Sequence, residues 1–242
     1  MADEYLFISD CHLHASRPEV SGALIDFLNV RATRARYLYI LGDLFEVWLG
    51  DDDPTEQLGA AIEALQTVAQ SCEVFFMAGN RDFLLGEKFA HRVGMTLLGD
   101  AESLQLGNQS IVLIHGDSLC TDDLDYQAFR KMVRGAKWQS EFLARPLPER
   151  QQIALQLRRD SADAMTQKSM DIMDVADDAV AACFGKFQVD GIIHGHTHRP
   201  AIHQYQSGLT RYVLGDWNPG PSFLSWAPVE GFKLVDARVK GE

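Results

Sequence analysis

Five polar clusters punctuate this 242-residue sequence: Ser9-Asp10-Cys11-His12, Gly42-Asp43, Gly79-Asn80-Arg81-Asp82, His115-Gly116-Asp117 and His194-Gly195-His196-Thr197-His198. Carboxylates, imidazoles and one amide in this combination suit a pair of divalent ions. Such a pair needs a bridging carboxylate, several imidazoles and open positions for water and phosphoryl oxygens. Asp43 suits the bridge. Asp10, His12 and His198 would complete one ion's set, and Asn80, His115 and His196 the other's. A nitrogen and oxygen set without thiolate accepts Mn, Fe, Co or Zn and discriminates poorly among them. The chemistry these residues point to is metal-assisted phosphoester hydrolysis.

Each cluster follows a short apolar run that reads as a buried strand: Tyr5 to Ile8, Tyr37 to Leu41, Val74 to Met77, Ile111 to Ile114 and Gly191 to Ile193, with a further run at Tyr212 to Leu214. Loops past the carboxyl ends of strands in α/β sheets are where ligands bind, so five clusters can meet in one crevice. Val20 to Arg31 and Thr55 to Gln70 carry apolar residues at three- and four-residue spacing and read as helices. Short late strands over 201–205, 211–214, 222–226 and 232–236 suggest a second sheet. The sequence from 123 to 182 is charge-rich and helix-forming, broken at Arg145-Pro146-Leu147-Pro148. It reads as a helical insertion that caps a core made of 1–122 and 183–242.

Composition narrows the classes. With 46% hydrophobic and 23% charged residues the chain can bury a full core. No run of about 18 uncharged apolar residues occurs and the N-terminus opens acidic, so the chain reads as neither membrane-spanning nor secreted. Four cysteines without CxxC spacing suit a reducing cytoplasm. A net charge of −12 argues against a nucleic-acid partner. Residues 121–170 are the exception, with nine Lys+Arg against seven Asp+Glu.

The clusters in order, D-x-H, GD, GN, H and GHxH, resemble the calcineurin-like metallophosphoesterase superfamily. Longer runs are similar to one of its families, the bacterial UDP-2,3-diacylglucosamine pyrophosphohydrolases of lipid A biosynthesis. These runs are Ile8-Ser9-Asp10-Cys11-His12-Leu13, Leu41-Gly42-Asp43-Leu44-Phe45-Glu46, Ala78-Gly79-Asn80-Arg81-Asp82-Phe83-Leu84, His115 to Asp123 and Ile193 to Pro200. The resemblance implies a four-layer α/β/β/α sandwich with a helical cap and two Mn²⁺ per chain. It implies hydrolysis of the substrate's pyrophosphate to UMP and the diacylated sugar 1-phosphate, by attack of a metal-activated hydroxide on the α-phosphorus. It also implies a cytoplasmic enzyme in peripheral contact with the inner membrane, and a monomer is expected.

Arg81 departs from the wider superfamily, where a His often follows the Asn and protonates the leaving group. Arg cannot do this, but it can grip phosphate oxygens, which fits a leaving group that is already a phosphate. Asp43, Asn80, Arg81 and His115 are thus the expected catalytic residues. Asn80, Arg81, Asp123, Arg158, Ser161, Lys168 and His196 are the expected substrate contacts. Arg158, Ser161 and Lys168 share a helix face with Met165, where relatives usually carry Asn. Apolar residues of the insertion would shelter acyl chains. His194 reads as structural, Asp82 and Asp117 as orienting groups or turn caps, and Asp51-Asp52-Asp53 as a solvated, helix-capping run. The four tryptophans read as packing. A nucleotide phosphodiesterase or nuclease, and a non-catalytic binding scaffold on the same fold, are the competing readings.

Overall fold

The computed structural model describes residues 3–166, 174–206 and 208–239, with 160–166 as backbone only. Strands β1 (Tyr5–Ile8), β2 (Tyr37–Leu41), β3 (Glu73–Met77) and β4 (Met95–Leu97) run parallel in one sheet. A second sheet holds β5 (Ala101–Leu106), β6 (Gln109–Ile114), β7 (Gly191–His194), β8 (Ala201–Gln204) and β9 (Thr210–Val213), in the order β5-β6-β7-β9-β8. Strands β10 (Phe223–Ala227) and β11 (Gly231–Val235) complete the first sheet, whose order is β11-β10-β1-β2-β3-β4.

Alternation along the strands divides the interior into layers, because successive side chains leave a strand on opposite faces. Leu6 and Ile8 of β1, Leu38 and Ile40 of β2, and Val74 and Phe76 of β3 pack against helices α1 (Pro18–Val30), α2 (Gly59–Val68) and α3 (Glu87–Val93). Phe7, Tyr39, Leu41 and Met77 point the other way and meet Ile111, Leu113, Ile193 and Tyr212 of the second sheet. Val112, Ile114 and Ile192 cover the outer face of that sheet and pack on Val180, Cys183 and Phe184 of α7 (Asp177–Phe187). The result is the α/β/β/α sandwich, with a buried layer between the sheets.

The insertion is helical: α4 (Leu124–Val133), α5 (Ala136–Leu143) and α6 (Leu147–Thr166). The boundary expected at 182 falls inside α7, which supplies the outer layer of the second sheet and so belongs with the core. Trp138, Phe142 and Leu147 pack on the core cluster beside α3. Arg150 of α6, 1% exposed, donates to the Leu49 carbonyl and to both carboxylate oxygens of Asp52.

Two further expectations are corrected. Strands β10 and β11 do not join the second sheet; β10 lies antiparallel beside β1, pairing Leu6 with Ser225. Alternation in sequence fixes which residues share a face, not which sheet receives the strand. The acidic run is not merely solvated. Asp51 accepts the Gly86 and Phe89 N–H groups at 2.9 Å each, capping α3 across a loop rather than the helix next in sequence, while Asp52 takes Arg150. Strands β4 and β5 are too short or too polar to have been read as buried runs. Among the described residues no helix is long and apolar enough to cross a membrane.

Candidate active site

All seven expected ligands lie beyond the carboxyl ends of strands: Asp10 and His12 after β1, Asp43 after β2, Asn80 after β3, His115 after β6, and His196 and His198 after β7. The loops are sewn together by backbone bonds. Asp10 N–H donates to the Gly42 carbonyl at 3.0 Å, His12 N–H to that of Asp43 at 2.9 Å, and Gly195 N–H to that of His115 at 2.9 Å. This closeness explains two motif glycines. A Cβ at Gly79 would strike the Asp43 carboxylate, and one at Gly195 would strike Ser9 and the Asp10 carboxylate.

Five ligands hold left-handed backbone: Asp10 (φ 54°), His12 (50°), Asp43 (54°), His196 (67°) and His198 (55°). Such a conformation is uncommon outside glycine, although Asp and His tolerate it better than most side chains. It persists where surrounding structure over-determines it, and it clusters at functional sites.

Two ligand sets result. In the first, His198 Nε2 lies 3.2 Å from Asp10 Oδ1 and 3.1 Å from His12 Nε2, and His12 Nε2 lies 3.9 Å from Asp43 Oδ2. In the second, Asn80 Oδ1 lies 2.9 Å from both His115 Nε2 and His196 Nδ1, and His115 Nε2 lies 3.8 Å from Asp43 Oδ1. The two oxygens of Asp43 therefore face different sets. Asp10, His12 and His198 form one group compact enough for a metal ion, and Asp10, Asp43 and His115 a second.

Neighbouring groups fix which ring nitrogen is presented. His115 Nδ1–H donates to the Leu41 carbonyl at 2.8 Å, leaving Nε2 with its lone pair toward Asn80 and Asp43. His12 Nδ1 lies 3.2 Å from Glu46 Oε2 without making a hydrogen bond to it, so Glu46 stands behind the ring as a charge. Asp82, wholly buried, accepts N–H from Asp43 at 3.2 Å, Phe45 at 3.3 Å and Gly79 at 2.9 Å, so it orients the loops on either side. Burial and the Asp43 charge push its carboxyl up to about 6. Burial opposes ionisation of Asp10 too, but His198, His115 and His12 hold it below the usual carboxylate range. Burial and His115 push His196 down to about 4, so it stays neutral at pH 7.

A calcineurin-like phosphoesterase family model matches residues 4–200. The chain belongs to the calcineurin-like phosphoesterase family. Among curated relatives, it is 46% identical over 219 residues to the UDP-2,3-diacylglucosamine hydrolase of Chromohalobacter salexigens, covering 89% of each protein. It is 48% identical over 225 residues to the protein of that name from Escherichia coli O7:K1, covering 90% of this chain and 93% of that one. A solved archaeal phosphodiesterase superposes with a TM-score of 0.50 at 11% identity over 96% of this chain and 98% of its own, which shows the fold alone.

A calcineurin-like phosphoesterase binds divalent metal, and these donors fit one. Two ring nitrogens face each other at 3.1 Å in the first set, an arrangement that a cation between two lone pairs satisfies. Asp10 and Asp43 are buried and, among the described residues, ion-pair only with histidines. Charge that deep needs compensation, which a divalent ion supplies.

The expected substrate contacts fall into three groups. Asn80, Arg81 and His196 are at the centre. Arg81 donates its backbone N–H to Asp43 Oδ1 at 2.8 Å, and its buried Nε has no partner among the described residues. At the rim, Arg158 pairs with Glu46, and Asp123 caps α4 by accepting Tyr126 N–H at 3.1 Å. The side chains of Ser161 and Met165, and all of Lys168, lie outside the described residues.

His194 is structural: wholly buried, it contacts the Gly195 carbonyl at 2.9 Å and Arg211 at 3.1 Å, and burial with the Arg211 charge pushes it down to about 3. Asp117 orients the cap, accepting Arg130 Nε–H at 2.7 Å and the Tyr126 hydroxyl at 3.0 Å.

Two residues escaped the sequence reading. Glu46 holds His12, Arg17 and Arg158; its signal was a lone acid in the otherwise apolar run Leu44 to Trp48. Arg134 donates to the Ala78 and Gly79 carbonyls, at 3.2 and 2.9 Å, fixing the loop that presents Asn80. Nothing in the sequence around Arg134 marks it.

Proposed function

We propose that this chain hydrolyses the pyrophosphate bond of UDP-2,3-diacylglucosamine, releasing UMP and 2,3-diacylglucosamine 1-phosphate, in lipid A biosynthesis. The observation that carries the reading is Asp43, one oxygen toward each of two ligand sets, in a chain 46–48% identical to hydrolases named for that substrate. The cofactor is two Mn²⁺: one held by Asp10, His12, Asp43 and His198, the other by Asp43, Asn80, His115 and His196. Divalent ions there supply Lewis acidity toward phosphoryl oxygens and make water acidic enough to attack at neutral pH.

The chain's own residues bind and orient. Arg81, with an unpaired Nε and a permanently charged guanidinium, grips oxygens of the departing phosphate. It cannot give up a proton, and a phosphate monoester leaves without one. Asn80 accepts nothing further once its Oδ1 is committed, so its amide N–H groups serve the phosphoryl oxygens. Asp123 and Arg158 serve the sugar phosphate from the cap, and Ser161 and Lys168 complete that set of contacts.

The acyl chains lie against the apolar side chains of the cap, whose Phe129 and Val133 stand beside Phe83 and Asn80. Sheltering them contributes about 0.8 kcal/mol per CH₂. Leu124, Met132, Leu143 and Leu155, exposed on the cap, bring a monomeric cytoplasmic protein to the inner face of the inner membrane. The test is incubation with Mn²⁺ and UDP-2,3-diacylglucosamine. UMP release supports the reading, and turnover of bis-p-nitrophenyl phosphate without it rejects the substrate.

A further inference from the structure

A second cavity of about 380 Å³ opens beside His198. His198 forms part of its wall, so it is continuous with the first ligand set. Its wall carries Thr197, Arg199, His203, Arg211 and Arg238 beside the apolar Pro200, Ala201 and Val213, with Asp174 as its acid. The cleft beside Asn80 is lined by Phe83, Phe129 and Val133 together with Asp117, Tyr126, Arg130 and Arg134, and shares no residue with this cavity.

Two groups in this cavity lack the partner that burial demands. Arg211 is 7% exposed, yet its guanidinium contacts only the Tyr205 hydroxyl and the His194 ring, both at 3.1 Å; no carboxylate pairs with it among the described residues. Arg199 and Arg238, on the same wall, do have acid partners, Asp174 and the pair Asp216 and Asp236. The buried hydroxyl of Thr197 has no hydrogen-bond partner among the described residues. A buried cation without its acid and a hydroxyl without a bond each raise the free energy of the empty cavity. An acceptor-rich ligand satisfies both.

We propose that this cavity binds the nucleoside monophosphate half of the substrate, with Arg211 and Thr197 donating to oxygens of the nucleotide. The inference rests on the hydrolase reading above. The nucleotide then lies against the His198 end of the ligand cluster, and the rest of the substrate extends past Asn80 toward the cap. The volume is within the range of small-ligand sites, and Val213 and Pro200 offer the base an apolar flank.

The test measures UMP and inorganic phosphate binding to the Mn²⁺-loaded full chain by calorimetry. In Thr197→Val and Arg211→Met, UMP affinity is expected to fall at least about tenfold while phosphate affinity holds. Arg211→Met risks misfolding. Thr197→Val keeps the shape and removes only an unbonded hydroxyl, so its Tm is expected not to fall. UMP affinity unchanged in Thr197→Val, or falling in step with phosphate affinity, overturns the proposal. Wild-type protein that binds UMP in this Thr197-dependent way but does not turn over UDP-2,3-diacylglucosamine leaves the cavity standing and rejects the substrate. Turnover with Thr197-independent UMP binding rejects the cavity alone.

Discussion

His12 Nδ1 lies 3.2 Å from Glu46 Oε2, and the same carboxylate also receives Arg17 at 2.7 Å and Arg158 from the cap. Burial works against the Glu46 charge, but His12 and the surrounding arginines hold the carboxyl down at about 2. Removing the carboxylate that stands behind a ligating imidazole typically lowers metal affinity about 10–100-fold. Glu46→Ala is therefore expected to weaken Mn²⁺ binding by that factor in a calorimetric titration. Full Mn²⁺ affinity in this variant would remove Glu46 from the site.

Asp43 gives one oxygen to each ligand set, so its loss should affect both. Asp43→Ala is expected to retain fewer than two Mn²⁺ by elemental analysis. Its kcat should drop at least about 10³-fold, since several kcal/mol of electrostatic stabilisation go with the ions. His115→Ala should lose one ion set preferentially. Chelation should abolish wild-type activity and added Mn²⁺ restore it. Either variant keeping both metals and full activity would refute the shared site.

Arg81→His restores the imidazole that many relatives of the wider superfamily carry. If Arg81 grips phosphate rather than donating a proton, kcat/KM on the native substrate falls about 10–100-fold, the worth of a charge-assisted hydrogen bond. Retained activity would sink the leaving-group argument.

Arg150 ties α6 to the core through Leu49 and Asp52. Arg150→Met leaves a buried carbonyl without its donor and should cost about 1–3 kcal/mol in urea unfolding. The Asp52 carboxyl is held below its usual value chiefly by the Arg150 hydrogen bond. A depressed folded pKa contributes stability above the unfolded value of about 4, lost as pH falls through the folded value. The stability gap between wild type and Asp52→Asn should therefore narrow as pH drops below about 4; a gap independent of pH would refute the linkage.

Membrane contact is testable on the cap. Replacing Leu124, Met132, Leu143 and Leu155 by Ser should abolish flotation with anionic liposomes while leaving the Tm near wild type, since all four side chains are exposed. Flotation unchanged by the substitutions would place the contact elsewhere.

The ligands were legible because each sits one to five residues past a run of three or more apolar residues that reads as a buried strand. The four layers were implied by the resemblance alone, because β1, β2 and β6 are buried on both faces and show continuous apolar runs rather than alternation. Sheet membership of β10 was not legible, because its partner β1 is more than two hundred residues away and no local pattern encodes pairing. The supports of the site were hidden for the same reason: Glu46 meets Arg158 across 112 positions and Arg134 meets Gly79 across 55. Asp51 misled because a cap for α3 was read as a cap for its own neighbourhood.

Strand β1 lies between β2 and β10, with Tyr5 paired to Tyr37 on one side and Trp226 on the other. During synthesis the first of these neighbours emerges early and the second only after the rest of the core. A nascent chain thus carries Asp10 and His12 just past the end of a strand with one open edge for most of its translation. Unpaired edges invite association with other chains. The region that completes the sheet is therefore also what ends the chain's most aggregation-prone interval on the ribosome, and stalled products lacking β10 should be the species that chaperones capture.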